Sequence, residues 1–381
     1  MQTINSNDTG IYHPMTTPKQ KLKELRNRID ELDSELLALL NQRGRIALEV
    51  AACKGDHANT NGDCYYRPER EAEILQRLLA TNEGPLSSSD IARLFKEIMS
   101  ACRALQKTLS IAFLGPQGTF TESAALRHFG QSVKTVPFDA IDAVFREVES
   151  GNCDYGVVPV ENSSEGVVNH TLDVFVRSPL LICGEVMLRI HHHLLALPSG
   201  NSDIAQIKKV YSHPQSLAQC RKWLDRYLPT VERIGVASNA EGARRASLEP
   251  NAAAIAGDIA AQIYGLRMPV SNIEDETNNT TRFLVIGSQK VPCTGEDRTS
   301  LLLSVKDRPG ALFGLIEPFA RRKVSMTRIE SRPARSDLWK YVFFVDIEGH
   351  AQDPHIAEAL QEIEENTMFF KILGSYPRAL A

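Results

Sequence analysis

The sequence predicts a multidomain protein of α and α/β class with three parts: an all-helical N-terminal domain, a two-lobed α/β domain and a C-terminal ferredoxin-like domain. Apolar residues recur at three- and four-residue spacing before residue 108, with no strand pattern among them. Strand and helix patterns then alternate up to residue 290, and a βαββαβ order follows. A chain of 381 residues is long enough to give each part its own core.

Composition restricts the class of protein. The hydrophobic content of 43% and the charged content of 24% are those of a soluble globular chain. The formal charge of -4 gives no basic field, so an anionic substrate must be met by locally placed Arg and Lys. The seven cysteines include no C-x-x-C pair, and the sequence shows neither a leader nor a long apolar run. We therefore expect a cytoplasmic protein with reduced thiols and no membrane or nucleic-acid partner.

The helical domain is predicted to span residues 16–108. Its first helix begins with a Thr17 cap and Pro18 and carries a continuous apolar stripe. The predicted helices are residues 18–54, 68–81 and 87–106. Residues 1–15 are polar and unpatterned, and a disordered extension is expected there.

Cations on the first predicted helix indicate a possible anion site. Arg43 and Lys54 are about three turns apart, so both can approach one anionic ligand from the same side. Arg26 lies about 25 Å before Arg43 along the axis, so it can join the site only from a second, antiparallel copy. That arrangement predicts a dimer. The alternative is an ordinary solvated charged helix, and the spacing alone leaves both interpretations open.

These residues also carry a family resemblance. The chain resembles the helical class of chorismate mutase at Leu25, Arg26, Gln42, Arg43, Lys54, Arg70, Glu71 and Gln106. In that family an intertwined dimer of three-helix chains surrounds the substrate with arginines and a lysine. The resemblance implies a Claisen rearrangement, which needs no acid, base or cofactor. It needs a dianion held in a compact conformer, with cations where charge builds on the breaking ether oxygen.

The resemblance implies a role for each of these cations. Arg43 and Arg26 of the partner subunit would hold the two carboxylates of chorismate. Lys54 and Gln106 would contact the ether oxygen that breaks, and Lys54 would also reach a carboxylate.

The ring-side contacts come from the second predicted helix. Arg70 would add positive charge, and Glu71 would accept a hydrogen bond from the ring hydroxyl. Arg67 and Cys102 stand where some members of the family carry Asp and Ser. Neither replaces a main cation, but both alter the expected ring-side contacts.

The α/β domain is predicted to span residues 109–290. Its patterns fall into two similar sets, and the apolar run at 180–197 is expected to cross between them. We therefore expect mainly parallel sheets in two lobes with a cleft between the lobes. No G-x-G-x-x-G sequence occurs, which argues against a hydride-transferring enzyme. His191, His192 and His193 alternate across a strand and cannot all bind one metal ion, so core or hydrogen-bonded histidines are expected.

One junction of polar and apolar sequence is the focus of this domain. Thr281 stands at the entry of an apolar strand, where its hydroxyl can donate a hydrogen bond to a leaving oxygen or a carboxylate. Thr281 and Phe283 share one face of that strand, and Arg282 points the other way. The alternative is a strand-entry threonine beside a surface arginine.

Four motifs in this domain resemble prephenate dehydratase. They are residues 115–121, 158–163, 212–215 and 281–283, and they occur in the order that the family has. The resemblance implies a periplasmic-binding-protein-like fold with the active site between the lobes. It also implies a reaction that removes a carboxylate and a hydroxyl from a cyclohexadiene, with aromatisation of the ring as the driving force.

The resemblance places Thr281 at the departing hydroxyl, as a donor whose effect depends on its placement. The neutral donors expected at the substrate carboxylates are Asn162, Ser212, Gln215 and Gln219. The other expected substrate contacts are Thr119, Glu161, Ser163, Arg282 and Phe283. Glu161 is expected to orient the donors, Arg282 can instead pack structurally, and Asn162 and Ser163 can also cap a following helix.

The C-terminal domain is predicted to span residues 298–377, after a linker. Gly310, Ala311 and Leu312 at a strand-to-helix turn resemble one ligand motif of the amino-acid-binding ACT domain. The second ligand motif is Glu330, Ser331, Arg332 and Pro333. The resemblance implies that L-phenylalanine binds between two such domains. The alternative is a turn glycine with a strand-end salt bridge.

Together the resemblances cover about residues 16–377 in one order. They imply the bifunctional chorismate mutase–prephenate dehydratase family, with chorismate and prephenate as substrates, no metal or cofactor, and a homodimer or larger homo-oligomer. Phenylalanine would favour a dimer arrangement in which the dehydratase cleft binds substrate poorly. Two alternatives stay open: an enzyme with only one live site, and a non-catalytic amino-acid sensor.

Overall fold

The computed structural model describes residues 17–54, 65–198, 204–305, 308–333 and 341–379. The chain forms two compact units, Met1–Gly55 and Asp56–Ala381. The expected extension at residues 1–15 lies outside the described residues.

The first unit contains helix α1 (Pro18–Lys54), as its apolar periodicity predicts. Its first turn is capped reciprocally: the Gln20 backbone N–H donates to Thr17 Oγ1 at 3.4 Å, and the Thr17 N–H donates to Gln20 Oε1 at 3.0 Å. The apolar stripe of α1 is exposed, with Leu32 and Leu39 more than half accessible at 57% and 61%. A helix with such a stripe is normally stabilised by packing that stripe against another element.

The second unit holds the remaining elements. Its helices are α2 (Pro68–Ala80), α3 (Ser88–Ala104), α4 (Phe120–Phe129), α5 (Ile141–Glu149), α6 (Asn169–Arg177), α7 (Pro214–Gln219), α8 (Arg221–Tyr227), α9 (Asn239–Ala246), α10 (Asp258–Ile263), α11 (Ala311–Arg321) and α12 (Pro354–Asn366). Its strands are β1 (Ser110–Leu114), β2 (Lys134–Phe138), β3 (Tyr155–Asn162), β4 (Gly166–Val167), β5 (Leu181–Arg189), β6 (His193–Ala196), β7 (Lys209–Ser212), β8 (Glu232–Gly235), β9 (Ala252–Ala256), β10 (Arg267–Val270), β11 (Thr280–Gly287), β12 (Asp297–Ser304), β13 (Met326–Pro333), β14 (Tyr341–Glu348) and β15 (Phe369–Pro377).

The α/β region has two sheets, one in each lobe. The first lobe has the strand order β2-β1-β3-β11-β5, with β4 paired to β3, and the second has the order β10-β6-β9-β7-β8. The apolar run at 180–197 crosses between the lobes as predicted, because β5 lies in the first sheet and β6 in the second.

The prediction of mainly parallel sheets is wrong, because both sheets are mixed. Strand β11 runs antiparallel to both of its neighbours, and β6 runs antiparallel to β9 and β10. Only the strands joined through helices, such as β1 with β2 and β7 with β8, are parallel. The direction of a strand depends on where the chain crosses back from one lobe to the other. The local periodicity of the sequence carries no information about that crossing.

The C-terminal sheet has the order β13-β14-β12-β15, with all neighbours antiparallel. With α11 and α12, it gives the predicted βαββαβ order. Its helix-covered face is packed by residues such as Leu301, Val345 and Leu360. Its other face packs on the first lobe, where Phe344 and Tyr376 join the same core cluster as Val160.

Helices α2 and α3 complete the second unit. Ser87 caps α3 by accepting the Asp90 backbone N–H at 3.1 Å, as the sequence predicts. Tyr66, which precedes α2, is 2% exposed and packs with Phe129 and Tyr155 of the first lobe. Among the helices in the described ranges, none is long and apolar enough to cross a membrane.

Candidate active site

The Thr281 hydroxyl is held by one neighbouring amide. Asn162 donates from Nδ2 to Thr281 Oγ1 at 2.7 Å and to Asn279 Oδ1 at 2.7 Å. The backbone N–H groups of Ser164 and Glu165 both donate to Asn162 Oδ1 at 3.0 Å, which fixes the orientation of the amide. Because Thr281 Oγ1 accepts from Asn162, its own proton is directed elsewhere and is available as a donor. Thr281 is 8% exposed, so that donor sits in a shielded position.

A β-bulge brings Asn162 to the same side as Thr281. In the pairing of β3 with β11, Thr281 lies opposite Asn162, and the register shifts just beyond Arg282. Val160 is the extra residue of the bulge, because Arg282 pairs with Glu161 and Phe283 pairs with Pro159. Without the extra residue, strict alternation would place Asn162 on the same face as Val160, away from Thr281. The bulge therefore builds the hydrogen bond on which the site depends.

The second lobe contributes a buried serine. Ser212 is fully buried, and its Oγ lies 2.8 Å from Asn239 Oδ1 and 2.7 Å from the Ile255 carbonyl oxygen. Asn239 also accepts the His213 backbone N–H at 3.1 Å. Ser212 thus fixes the ends of neighbouring strands and the start of α9. Sequence reasoning did not single out Asn239 as a site residue.

The second lobe also holds a histidine–glutamine pair, with His192 just before β6 and Gln219 at the end of α7. His192 Nε2 is 2.8 Å from Gln219 Oε1, so the ring carries its proton on Nε2 and donates it to the amide. Burial lowers the pKa of His192, which keeps the ring neutral. In the described part of the chain, the buried Gln219 Nε2 and His192 Nδ1 have no hydrogen-bond partner. The Gln219 amide is therefore a fixed donor with capacity for a ligand. The sequence predicts a hydrogen-bonded histidine here but gives it no role.

The loop before α4 reaches across to the second lobe. Gly118 has φ of +87°, and a Cβ there would lie 3.3 Å from Ala260 Cα, so glycine suits this close approach. Tyr264 Oη donates to the Gln117 carbonyl at 3.2 Å. Thr119, at the N-cap position of α4, donates to the Leu114 carbonyl at 3.2 Å instead of capping the helix. The loop therefore places Thr119 beside the contact between the two lobes.

Two further expected contacts have different positions. Gln215 is half-buried at the start of α7, and its backbone N–H donates to His213 Nδ1 at 3.4 Å. Ser163 joins β3 to β11: its Oγ accepts the Thr280 N–H, and its own N–H donates to the Thr280 carbonyl, both at 2.9 Å. This places Ser163 in the strand connection rather than as a free donor.

Contrary to the expected substrate contacts, Arg282 and Glu161 point away from the Thr281 hydroxyl, and Phe283, on the same face of β11 as Thr281, is buried in the core. Phe283 is 2% exposed in the apolar core of the first lobe. Glu161 Oε2 lies 3.3 Å from Arg328 Nε of the C-terminal domain, on the opposite face of the sheet. Arg282 points to that same face. It therefore has the structural packing role that the sequence left open as its alternative to a substrate contact.

Arg282 joins three partners on that face. It donates to Glu185 Oε2 at 2.9 Å, to Asp346 Oδ2 at 2.5 Å and to Tyr376 Oη at 2.9 Å. Burial acts to lower the pKa of Arg282, but these neighbours outweigh it and raise that pKa above its ordinary value. Arg282 therefore stays charged and connects the first lobe to the C-terminal sheet.

Comparison with known proteins places these features in a family. The model of prephenate dehydratase matches residues 111–291, chorismate mutase type II matches residues 25–107, and the ACT domain matches residues 299–365. The chain is 54% identical to the bifunctional chorismate mutase/prephenate dehydratase of Stutzerimonas stutzeri, over 94% of this chain and 98% of that protein. It is 52% identical to the protein of the same name from Pseudomonas aeruginosa, over 95% and 99%. This chain belongs to the bifunctional chorismate mutase/prephenate dehydratase family.

A solved structure supports the dehydratase and ACT assignments within this family. The prephenate dehydratase of Arthrobacter aurescens, solved in complex with L-Phe, superposes with a TM-score of 0.65 at 35% identity. The match covers 71% of this chain and 90% of that chain. The chain therefore has the helical mutase domain, the two-lobed dehydratase fold and the C-terminal ACT domain.

The cations predicted for the mutase site lie on two helices, α1 and α2. Arg26 and Arg43 lie on α1, and Lys54 is its last residue, with a side chain outside the described part. Arg70 lies in the first turn of α2 and pairs with Glu73 at 2.9 Å. Because α1 is a compact unit of its own, the joint site of these residues stays a prediction.

Two other expected mutase residues lie at the ends of α2 and α3. Gln106 follows α3, with its backbone N–H donating to the Arg103 carbonyl at 2.9 Å. Glu71 accepts from Arg103, which also donates to the Phe129 carbonyl at 2.6 Å. Arg103 was not anticipated from the sequence. Of the two departures from the mutase pattern, Cys102 is buried and Arg67 pairs with Glu69.

The two predicted ACT ligand motifs lie at a strand-to-helix turn and on an edge strand. Gly310 has φ of +78° at the N-cap position of α11, which begins with Ala311, and Leu312 is exposed. The second motif lies on the edge strand β13 as Glu330, Ser331, Arg332 and Pro333. Arg332 donates to the Asn169 carbonyl at 2.6 Å and lies 3.3 Å from Asp173, so its guanidinium contacts the dehydratase domain.

Proposed function

We propose that this chain rearranges chorismate to prephenate and then converts prephenate to phenylpyruvate, carbon dioxide and water. The observation that carries the second reaction is the hydrogen bond from Asn162 to Thr281, which leaves the threonine proton free to be donated. Both reactions balance without an external oxidant or reductant, so no cofactor or metal is proposed.

In the dehydratase reaction the C–C bond to the departing carboxylate breaks with release of carbon dioxide, its electrons enter the ring as hydroxide leaves, and the hydroxide takes up a proton from solvent to become water. Thr281 donates a hydrogen bond to that oxygen as negative charge builds on it. A threonine hydroxyl is too weak an acid to give up its proton freely near neutral pH, so it contributes a well-placed hydrogen bond, and Asn162 maintains that placement. Thr119, Gln215 and the amide nitrogen of Gln219, which has no partner among the described residues, are proposed as neutral donors to the substrate carboxylates.

In the mutase reaction the chain supplies charge and shape. We assign Arg43, Lys54 and Gln106, with Arg26 of the partner subunit, to the carboxylates and the ether oxygen of chorismate. Arg70 and Glu71 are assigned to the ring side. The exposed apolar stripe of α1 supports a homodimer, because a second copy would bury it.

Phenylalanine is the proposed effector. Gly310 gives the strand-to-helix turn an open approach, since no atom of the described residues lies within 4 Å of the position its Cβ would take. Backbone N–H groups at the start of α11 suit a carboxylate. We also propose a cytoplasmic setting, where thiols stay reduced.

The test is to supply chorismate to the purified chain and to follow both its loss and the appearance of phenylpyruvate, with and without phenylalanine. Phenylpyruvate formation that phenylalanine suppresses is the expected result. Accumulation of prephenate would leave the mutase standing and remove the role of Thr281. No loss of chorismate, with no turnover of added prephenate, would favour the sensor alternative.

A further inference from the structure

The sheet that carries Thr281 and Asn162 has a second face, opposite the proposed dehydratase site. Thr281 and Asn162 face one side of the first-lobe sheet, and their chain neighbours Arg282 and Glu161 face the other. Arg282 and Glu161 are themselves paired across β11 and β3. Any displacement of either neighbour therefore moves the backbone that carries Thr281 or Asn162.

The ACT domain holds both of these neighbours. Asp346 on β14 accepts from Arg282 at 2.5 Å, and Arg328 on β13 lies 3.3 Å from the Glu161 carboxylate. The two contacts differ in how completely they are satisfied. Arg282 uses its Nε, Nη1 and Nη2 atoms, each on a partner. The buried Arg328 Nη2 has no hydrogen-bond partner among the described residues.

Space is available beside the less satisfied contact. A cavity of about 400 Å³ lies between the dehydratase and ACT domains, and Glu161, Thr280, Arg282 and Arg328 are among the residues that line it. The Arg328 guanidinium can shift relative to Glu161 without breaking a hydrogen bond from Nη2, because Nη2 makes none among the described residues and the cavity leaves room for the movement. The Arg328–Glu161 contact is therefore the adjustable one of the two.

Arg328 also lies on the strand that carries an effector motif. It precedes Glu330 by two residues on β13, so the two side chains share a face of that strand. Arg332, on the same face, contacts the Asn169 carbonyl of the dehydratase domain. A shift of β13 on effector binding would be transmitted directly to Glu161.

We propose that Arg328 is a positioning residue for the dehydratase. Acting through Glu161, it sets the position of Asn162 and hence of the Thr281 hydroxyl, and it links the effector strand to them. This inference rests on the proposed function and deepens it, because it names the contact through which an amino acid bound at the ACT domain would change turnover of prephenate.

The test compares R328Q, E161Q and the double variant with the wild type in the full-length protein. Prephenate turnover and its inhibition by phenylalanine are measured first in the wild type. A wild type without either property overturns the proposed function itself. With both present, R328Q is expected to lower kcat for prephenate about tenfold with little change in KM, because the donor is displaced rather than removed. The inhibition factor should fall at least about fivefold.

The double variant shows whether Arg328 and Glu161 act through their mutual contact or independently of each other. Because R328Q and E161Q break the same contact, the double variant should resemble either single variant instead of multiplying their losses. R328K keeps the charge and should restore part of both properties. It also serves in place of R328Q if that variant does not fold.

The matched control is R378Q. Arg378 lines the same cavity but pairs with Glu348 at 3.1 Å, away from the strand pair, so kcat and inhibition should be unchanged. A merely structural Arg328 would lower Tm in R328Q and leave kcat and inhibition as in the wild type. That result, or losses that multiply in the double variant, would overturn the proposal.

Discussion

Arg282 and Asp346 form a buried ion pair at 2.5 Å that joins the strand of Thr281 to the ACT sheet. Each side chain is 7% exposed. Burial alone would raise the pKa of Asp346, but Arg282 and a hydrogen bond from Ser300 hold it below its ordinary value. Arg298 and Glu185 extend the pair into a charge-balanced group. Such a group is costly to break from one side, because removal of one ion leaves its partner buried and uncompensated.

Replacing Arg282 with Ala should therefore destabilise the protein strongly. We expect a loss of about 3–5 kcal/mol in the free energy of unfolding, measured by urea denaturation. The control is Arg378→Ala, which breaks an exposed pair with Glu348 and should cost no more than about 1 kcal/mol. A loss for Arg282→Ala as small as that of the control would contradict the structural role.

A second prediction concerns acid stability. Burial, with Lys96 and Arg103 nearby, lowers the pKa of His128 from 6.5 to about 3 in the folded chain. Between these values the unfolded chain binds a proton that the folded chain does not, so stability falls as pH drops from about 6.5 towards 3. The slope from this group is at most about 1.4 kcal/mol per pH unit.

His128→Gln should flatten that slope, measured as the free energy of unfolding against pH. Tyr66→Phe is the matched control. It removes the 2.6 Å contact between Tyr66 Oη and His128 Nε2 but keeps the buried histidine. Tyr66→Phe should lower the free energy of unfolding at every pH and leave its slope against pH unchanged. An unchanged slope in His128→Gln would show that other groups cause the acid sensitivity.

The elements and the main motif could be predicted from the sequence, because both are local. The 3.6-residue apolar period of α1 and the strand alternation that turns Arg282 away from Thr281 are properties of a few neighbouring residues. The partner of Arg282 could not be predicted, since Asp346 lies 64 residues further along the chain. The direction of the Glu161 side chain could not be predicted for a related reason. The β-bulge that turns it away from Thr281 exists only in the pairing of β3 with β11.

The third prediction tests the hydroxyl at the proposed dehydratase site. Thr281→Val keeps the shape of the side chain and removes the donor, so kcat for prephenate should fall about 10²- to 10³-fold. Thr281→Ser should retain most of the activity. The control is Thr280→Val, because the Thr280 hydroxyl donates a long hydrogen bond of 3.4 Å to the Asn278 carbonyl and is not proposed to touch substrate. Chorismate turnover should be unaffected in all three variants, and a Thr281→Val enzyme with full prephenate turnover would remove Thr281 from the mechanism.

The last prediction tests the mutase cations. Arg43→Ala removes a positive charge proposed to hold a chorismate carboxylate, so chorismate turnover should fall at least about 100-fold. Arg45→Ala is the matched control, since Arg45 is an exposed arginine on the same helix, two residues further along. Prephenate turnover by the same preparations provides an internal reference, because the substitution lies outside the dehydratase domain. Equal chorismate turnover in the two variants would show that Arg43 is not a substrate contact, whereas equal loss of both reactions would indicate damage to the assembly instead.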